Sequence, residues 1–144
     1  MTPVQIDLVR DSFELVAPIA PQTAAIFYDN LFTAKPALRT LFKGNMVQQG
    51  ERLMTMIATA VKLLDQPEIL TPALNKLGAR HVTYGVRDED YETVGNALIK
   101  TLQQGLGDAF TAEMRSAWTA MYGLVSQQMI AASHQTNGQS NAMA

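Results

Sequence analysis

Apolar residues recur along this chain at intervals of three and four, the spacing that places them on one side of a helix. The stripe Val9, Phe13, Val16 marks a first helix, which opens at Thr2-Pro3. Thr2 offers a capping hydroxyl, Pro3 suits the first helical position, and Gln5 completes a capping box. Pro18 and Pro21 punctuate the chain after this helix. A second helix is predicted from about Pro21 to Thr33, burying Ala24, Phe27, Tyr28 and Leu31. Pro36 starts a short helical turn that ends at Leu41-Phe42, and Lys43, Gly44 and Asn45 form a brief loop.

The cleanest periodicity lies between about Met46 and Leu64, where Leu53, Met56, Ile57, Ala60, Val61 and Leu64 share a face. Asp65-Gln66-Pro67 breaks it. A fourth helix, entered near Thr71-Pro72, carries Leu70, Leu74, Leu77 and His81 in one line. Gly85 and Asp88 mark a loop. The segment from about Asp88 to Leu106 aligns Tyr91, Val94, Leu98 and Leu102, and Gly105 and Gly107 end it. Thr111 caps a last long helix with Met114, Trp118, Met121 and Val125 facing inward. No alternating strand pattern of useful length occurs, so the predicted class is all-α, with six or seven helices in one domain over 1–133. The polar stretch after Ser133 has too little apolar area to offset ordering entropy, and 134–144 is expected to be a disordered tail.

Composition narrows the chemistry. The 144 residues suit one domain. A net charge of −2 invites neither nucleic acid nor an anionic membrane. The absence of cysteine excludes disulfides, thiolate metal sites and a thiol nucleophile. No apolar run is long enough to span a membrane, and the N-terminus shows no signal-peptide pattern. A cytoplasmic protein is the expectation.

Three polar side chains sit where apolar ones are expected. A neutral imidazole at His81 can give a lone pair to a metal, although a lone histidine on an apolar face is more often a packed core or edge residue. Gln49 lies four residues before Leu53 and points from the buried face of its helix. Tyr28 lies between Phe27 and Leu31. Buried donors need partners, which are either a polar ligand or each other and nearby backbone carbonyls. Gly50 costs roughly 1 kcal/mol in a helix interior and would let that helix cross Ala24 closely, unless it belongs to a frayed first turn. His134 reads as solvated.

These residues, in this order, resemble the globins, specifically the single-domain bacterial globins akin to the haem domain of flavohaemoglobins, with some likeness to neuroglobin. The resemblance covers about residues 5 to 132. It rests on Ile26-Phe27-Tyr28-Asp29-Asn30-Leu31-Phe32, on Pro36 followed by Phe42, on Gln49 with Leu53, on His81 with Tyr84-Gly85-Val86, and on the Ala117-Trp118 and Tyr122-Gly123 pairs.

The resemblance implies a globin fold around a pocket for haem b, with His81 as the iron's axial ligand. It implies that Phe42, Leu53, Leu77, Val86 and Val94 pack the porphyrin. Arg52 and Arg80 would reach the propionates from the rim or remain solvated surface charges. Tyr28 and Gln49 would donate hydrogen bonds to bound O2, NO or CO, holding O2 tightly. Tight O2 suits nitric oxide dioxygenation, scavenging or sensing more than delivery. No GxGxxG follows a strand, so turnover would borrow an external electron donor. Tyr91 also matches flavohaemoglobins, but the glutamate they place on the last helix to bond the proximal histidine is missing, since no Asp or Glu follows Glu113. His81 Nδ1 is therefore expected to donate to a backbone carbonyl such as that of Leu77. With Gln49 at the distal position, bis-histidine coordination is not expected. The alternatives are a gas-sensing globin acting through a partner and a haem-free helical interaction module.

Overall fold

The computed structural model describes the backbone of residues 1–143 and side chains through His134. Its six helices are, in order, α1 (Pro3–Val16), α2 (Ala20–Ala34), α3 (Met46–Lys62), α4 (Pro67–Thr83), α5 (Asp88–Leu106) and α6 (Ala112–Met143). Short 3₁₀ turns occupy Ala17–Ile19, Pro36–Leu41 and Gly107–Ala109, and no strand occurs among the described residues. The all-α expectation is met. The tail expected over 134–144 lies, beyond His134, outside the residues whose side chains are described.

Local signals operate as their chemistry dictates. Thr2 Oγ1 accepts from the Gln5 amide at 3.1 Å while Gln5 Oε1 accepts from the Thr2 amide at 2.9 Å. Asn45 caps α3 by accepting from the amides of Val47 and Gln48, and Thr111 caps α6 by accepting from Met114. Gly107 ends α5 with φ +56°, in the left-handed region that glycine occupies without a Cβ penalty.

One boundary differs from expectation. α4 begins at Pro67, not near Pro72, so Pro72 lies inside the helix. Both prolines are start signals, and Pro67 takes the first helical position. Pro72 forfeits one bond, to the Glu68 carbonyl, and it is exposed, so water can satisfy that carbonyl.

The core forms where α1 and α6 meet the other helices. Trp118 is essentially fully buried, and its Nε1–H donates to Ser12 Oγ at 2.7 Å. The Ser12 hydroxyl donates in turn to the Leu8 carbonyl at 2.7 Å, so the indole's polar edge is satisfied inside an apolar core. Met56 is the exception in the α3 stripe: it is exposed, at the edge shared with Gln49 seven residues earlier. α3 packs on α1 and α2, which cover a narrower arc than the stripe spans.

α4 packs chiefly on α6. The crossing is close because Gly78 has no Cβ: one built there would collide with the Met129 carbonyl oxygen of α6. Gln128 Nε2 donates to Asn75 Oδ1 at 2.6 Å beside this crossing. Among the described residues, α3 and α4 make no extended contact with each other.

The start of α5 is anchored by buried Asp90. Its Oδ2 accepts from the Arg87 amide at 2.9 Å and its Oδ1 from Lys35 Nζ at 2.6 Å. Burial pushes the Asp90 carboxyl up, but the bonds from Lys35 and the Arg87 backbone outweigh it and hold the group below its usual value. Folding is therefore stabilised by this carboxylate above the unfolded-state value of about 3.9, and the contribution is lost as pH falls through the depressed folded-state value. Asp90→Asn should flatten the dependence of urea-unfolding stability on pH below about 4, and lower stability near neutrality by about 1–3 kcal/mol. Gly78→Ala should cost at least about 1–3 kcal/mol by displacing α4 from α6, measurable in the same unfolding curves.

Candidate functional site

His81 stands in the last turn of α4, half-buried. Its Nδ1 lies 2.8 Å from the Leu77 carbonyl oxygen. A carbonyl can only accept, so Nδ1 carries the proton and Nε2 keeps a lone pair. Nε2 makes no hydrogen bond among the described residues. Burial lowers the imidazole pKa below its ordinary 6.5, with the Leu77 carbonyl opposing, so the ring is neutral at pH 7. The bond to Leu77 is the one the missing carboxylate on α6 led us to expect.

Tyr91 lies beside this ring, the two centroids 6.3 Å apart with planes 28° from parallel. Its hydroxyl is buried and has no hydrogen-bond partner among the described residues. Burial, with a contribution from Asp88, pushes its pKa up to about 12, so the group stays protonated. Tyr84 flanks His81 on its other side at 5.9 Å and is exposed. Among the described residues, no three His, Asp or Glu side chains cluster. A metal taken by this single imidazole must therefore bring its remaining ligands with it, as iron in a porphyrin does.

The other wall is built by α2 and α3. Tyr28 is buried in an aromatic cluster, edge-on to Phe27 and Phe42 and stacked on Phe32 at 5.8 Å. Its hydroxyl donates to the backbone carbonyl of Gln49 at 3.2 Å. Burial raises its pKa to about 12, so it remains an O–H donor. The Gln49 side chain is half-buried, and its Nε2 donates to the Lys43 carbonyl at 3.3 Å in an exposed setting. Of the two kinds of partner open to Tyr28 and Gln49, both side chains here use backbone carbonyls. Gly50 places these residues: a Cβ on it would come within 2.9 Å of Ala24 Cβ, so α3 crosses α2 at close range.

The lining residues read from the sequence fall into two apolar groups. Phe42, Leu53 and Val94 pack with Tyr28, Leu31 and Leu38. Leu77 and Val86 pack with Tyr91 in the larger core around Trp118. Leu98 borders both groups. Phe42, Leu53, Leu77, Val86 and Val94 are all only half-buried, unlike Val9, Leu31 or Leu102 in the closed core. Apolar side chains left half-covered retain area that a bound apolar group could bury. Arg52 and Arg80 are exposed and form no ion pair among the described residues.

Some contributors carried no usable sequence signal. The Lys43 and Gln49 carbonyls are backbone groups. Asp90 looked like an ordinary first-turn acid until Lys35, fifty-five positions away, was folded onto it. Gly78 sits one residue after a pocket-facing leucine, and its α6 neighbour cannot be guessed from α4 alone. His134, expected to be solvated, is exposed but lies 2.6 Å from Asp88 Oδ2 at the start of α5.

Comparison with known proteins gives a matching geometry. The Globin family model matches residues 25–129. A flavohemoprotein of Vibrio cholerae is 29% identical over 133 residues, covering 90% of this chain and 34% of that protein. A flavohemoprotein of Bordetella parapertussis is 34% identical over 107 residues, covering 72% of this chain and 27% of that one. The chain thus spans about a third of the length of these relatives. Neuroglobin of Danio rerio is 31% identical over 136 residues, covering 85% of this chain and 86% of that one. Among solved structures, a bacterial globin of Campylobacter jejuni superposes with TM-score 0.83 at 24% identity, covering 95% of this chain and 99% of that one. An engineered carbene transferase built on a proposed nitric oxide dioxygenase of Rhodothermus marinus superposes at 0.86 with 22% identity, covering 96% of each.

The Gly50 crossing yields a direct test. Gly50→Ala gains intrinsic helix propensity, about 1 kcal/mol, yet must push two rigid methyl carbons apart. The net result should be a loss of about 1–2 kcal/mol in unfolding stability, and Gly50→Ala combined with Ala24→Gly should recover most of it.

Proposed function

Because the chain belongs to the globin family, we propose that it binds haem b through His81 and holds diatomic gases on the side of Tyr28 and Gln49, with nitric oxide dioxygenation as the reaction this site serves. The observation that carries the reading is the unpartnered Nε2 of a neutral, half-buried His81, whose Nδ1 is bonded to the Leu77 carbonyl, together with the half-covered apolar side chains of Phe42, Leu53, Leu77, Val86 and Val94. When bound, the haem supplies reversible capture of O2, NO or CO and the oxidation of NO to nitrate. The Vibrio and Bordetella flavohemoproteins support the haem-binding part of this reading by similarity.

The chain's own residues set the tuning. Leu77 is a neutral carbonyl acceptor, so His81 gains little anionic character from it. That favours holding a gas over splitting it. On the opposite wall, Gln49 Nε2 and the Tyr28 hydroxyl are the available donors. A ligand that acquires negative charge accepts bonds of about 1.5–3 kcal/mol. Gln49 gives up only a long, exposed bond to Lys43 when it turns inward. Tyr28 must surrender a better-shielded bond to the Gln49 carbonyl, so its net contribution is smaller.

Two outcomes check this. The protein should take up hemin and become red, His81→Gly should lose that uptake, and added imidazole should restore it; a protein that stays colourless with hemin removes the reading. Gln49→Leu should raise the O2 dissociation rate about ten- to a hundredfold, and Tyr28→Phe by less, since about 1.4 kcal/mol is a factor of ten. Unchanged off-rates in the double variant would remove both side chains from the gas-holding role.

A further inference from the structure

The outward side of α6 carries no charge over most of its length. Between Arg115 and His134 no charged residue occurs, although 17% of the chain is charged. The outward side of α1, beside it, carries Asp7, Asp11 and Glu14. At 3.6 residues per turn, Ser116, Ala120, Gly123, Gln127 and Ala131 fall within one narrow arc, turned away from buried Trp118, Met121 and Met129. An open groove of about 470 Å³ runs along this arc, with Met1, Leu124 and Gly123 in its lining and no charged side chain. Met1 and Leu124 are exposed apolar side chains there. Glycine inside a helix is destabilising relative to alanine, so it suits a place where a neighbour leaves no room for a Cβ. Gly50, Gly78 and Gly95 meet Ala24, Met129 and Tyr122 in this way. Gly105 is unobstructed but lies in the last turn of α5. A Cβ on Gly123, in the middle of α6, would also meet nothing within 4 Å, so the close approach it permits goes unused within one chain.

We infer that this face of α6 is the contact between two copies of the chain, paired antiparallel across a two-fold axis at Gly123 and Leu124. A two-fold contact must be self-complementary. Antiparallel pairing about this point sets Ala120 against Gln127 of the second copy, and Ser116 against Ala131. It also sets Glu113, which forms no ion pair among the described residues, against His134. The acidic end of the stripe thus meets the imidazole end, once on each side of the axis, whereas parallel pairing would set Glu113 against Glu113. His134 is exposed, and its Nδ1 makes no hydrogen bond among the described residues while Nε2 meets Asp88 at 2.6 Å. Small side chains at Ser116, Ala120 and Gly123 let the helix axes approach to about 8 Å. The segment from Glu113 to His134 is about 32 Å long. A strip of that length and about 11 Å wide buries roughly 700 Å² in total, below the about 1,200 Å² at which stable specific interfaces begin. The dimer is therefore a transient one, with Kd on the order of 100 µM. Gln128, at the edge of the groove, donates to Asn75 of α4, so the contact abuts the crossing that holds the His81 helix. Haem plays no part in this contact.

Sedimentation of the full chain, with and without added hemin, tests the pairing. The average mass should rise from monomer toward dimer between about 10 µM and 1 mM. Ala120→Glu with Gln127→Glu places like charges face to face around the axis and should raise Kd at least about tenfold, with circular dichroism and unfolding curves unchanged. Thr55→Glu with Gln103→Glu, equal in charge but on α3 and α5, should change Kd by less than about twofold. Because the chain has no cysteine, introduced thiols report the geometry cleanly. Gly123→Cys should form an intermolecular disulfide under mild oxidation, and Ser116→Cys alone should not, its two copies standing about 22 Å apart along the helices. A mixture of Ser116→Cys and Ala131→Cys chains should give the crossed dimer. A monomer at every concentration to 1 mM would overturn the inference. So would a dimer indifferent to the Ala120 and Gln127 changes, or equal cross-linking by Ser116→Cys alone. Cosedimentation with phosphatidylcholine vesicles that the same two changes abolish would overturn it too, by giving the face to a lipid surface.

Discussion

Everything at the site depends on how closely α4 can approach α6. Gly78 lets the α4 backbone lie against the Met129 carbonyl, and the Asn75–Gln128 bond holds the register of the crossing. α4 is fastened to α6 rather than to α3, so the helices that carry His81 and Gln49 each have their own support. Here α6 supports one wall, and α2, crossed at Gly50 and Ala24, supports the other.

Within that frame the polar groups divide into spent and available. Trp118, Ser12 and Thr101 close their hydrogen bonds inside the core. Asp90 closes its bonds to Lys35 and the start of α5. The Tyr91 hydroxyl, buried beside the half-buried His81 ring, has no partner among the described residues, and such an atom is costly in a finished core. A carboxylate on α6 would have made His81 a stronger electron donor, and the carbonyl that replaces it keeps the imidazole milder.

The two donors on the distal wall show why a static arrangement must be read with energies. Both already hold backbone carbonyls, so neither is idle. The relevant quantity is the difference between the bond surrendered and the bond gained, and that difference favours Gln49. The same attention to spent and unspent charge separates Lys35, locked into the fold, from Lys43 and Arg80, which form no ion pair among the described residues.

Much of the molecule was legible along the chain. Helical periodicity, the Thr2 and Thr111 caps and the glycine stop at Gly107 are local, encoded within a few residues, and they set element type and most boundaries. The chemistry of His81, Gln49 and Tyr28 was legible for the same reason: a polar side chain on an apolar stripe is a local anomaly. Competing local signals misled at Pro67 and Pro72, and a stripe wider than its partners left Met56 outside. What only the tertiary structure decided is pairwise and distant. That Tyr28 bonds the Gln49 carbonyl, that Lys35 finds Asp90, and that Gly78 meets Met129 all join residues tens of positions apart. Sequence spacing sets the face a residue occupies, whereas helix crossings set what that face meets.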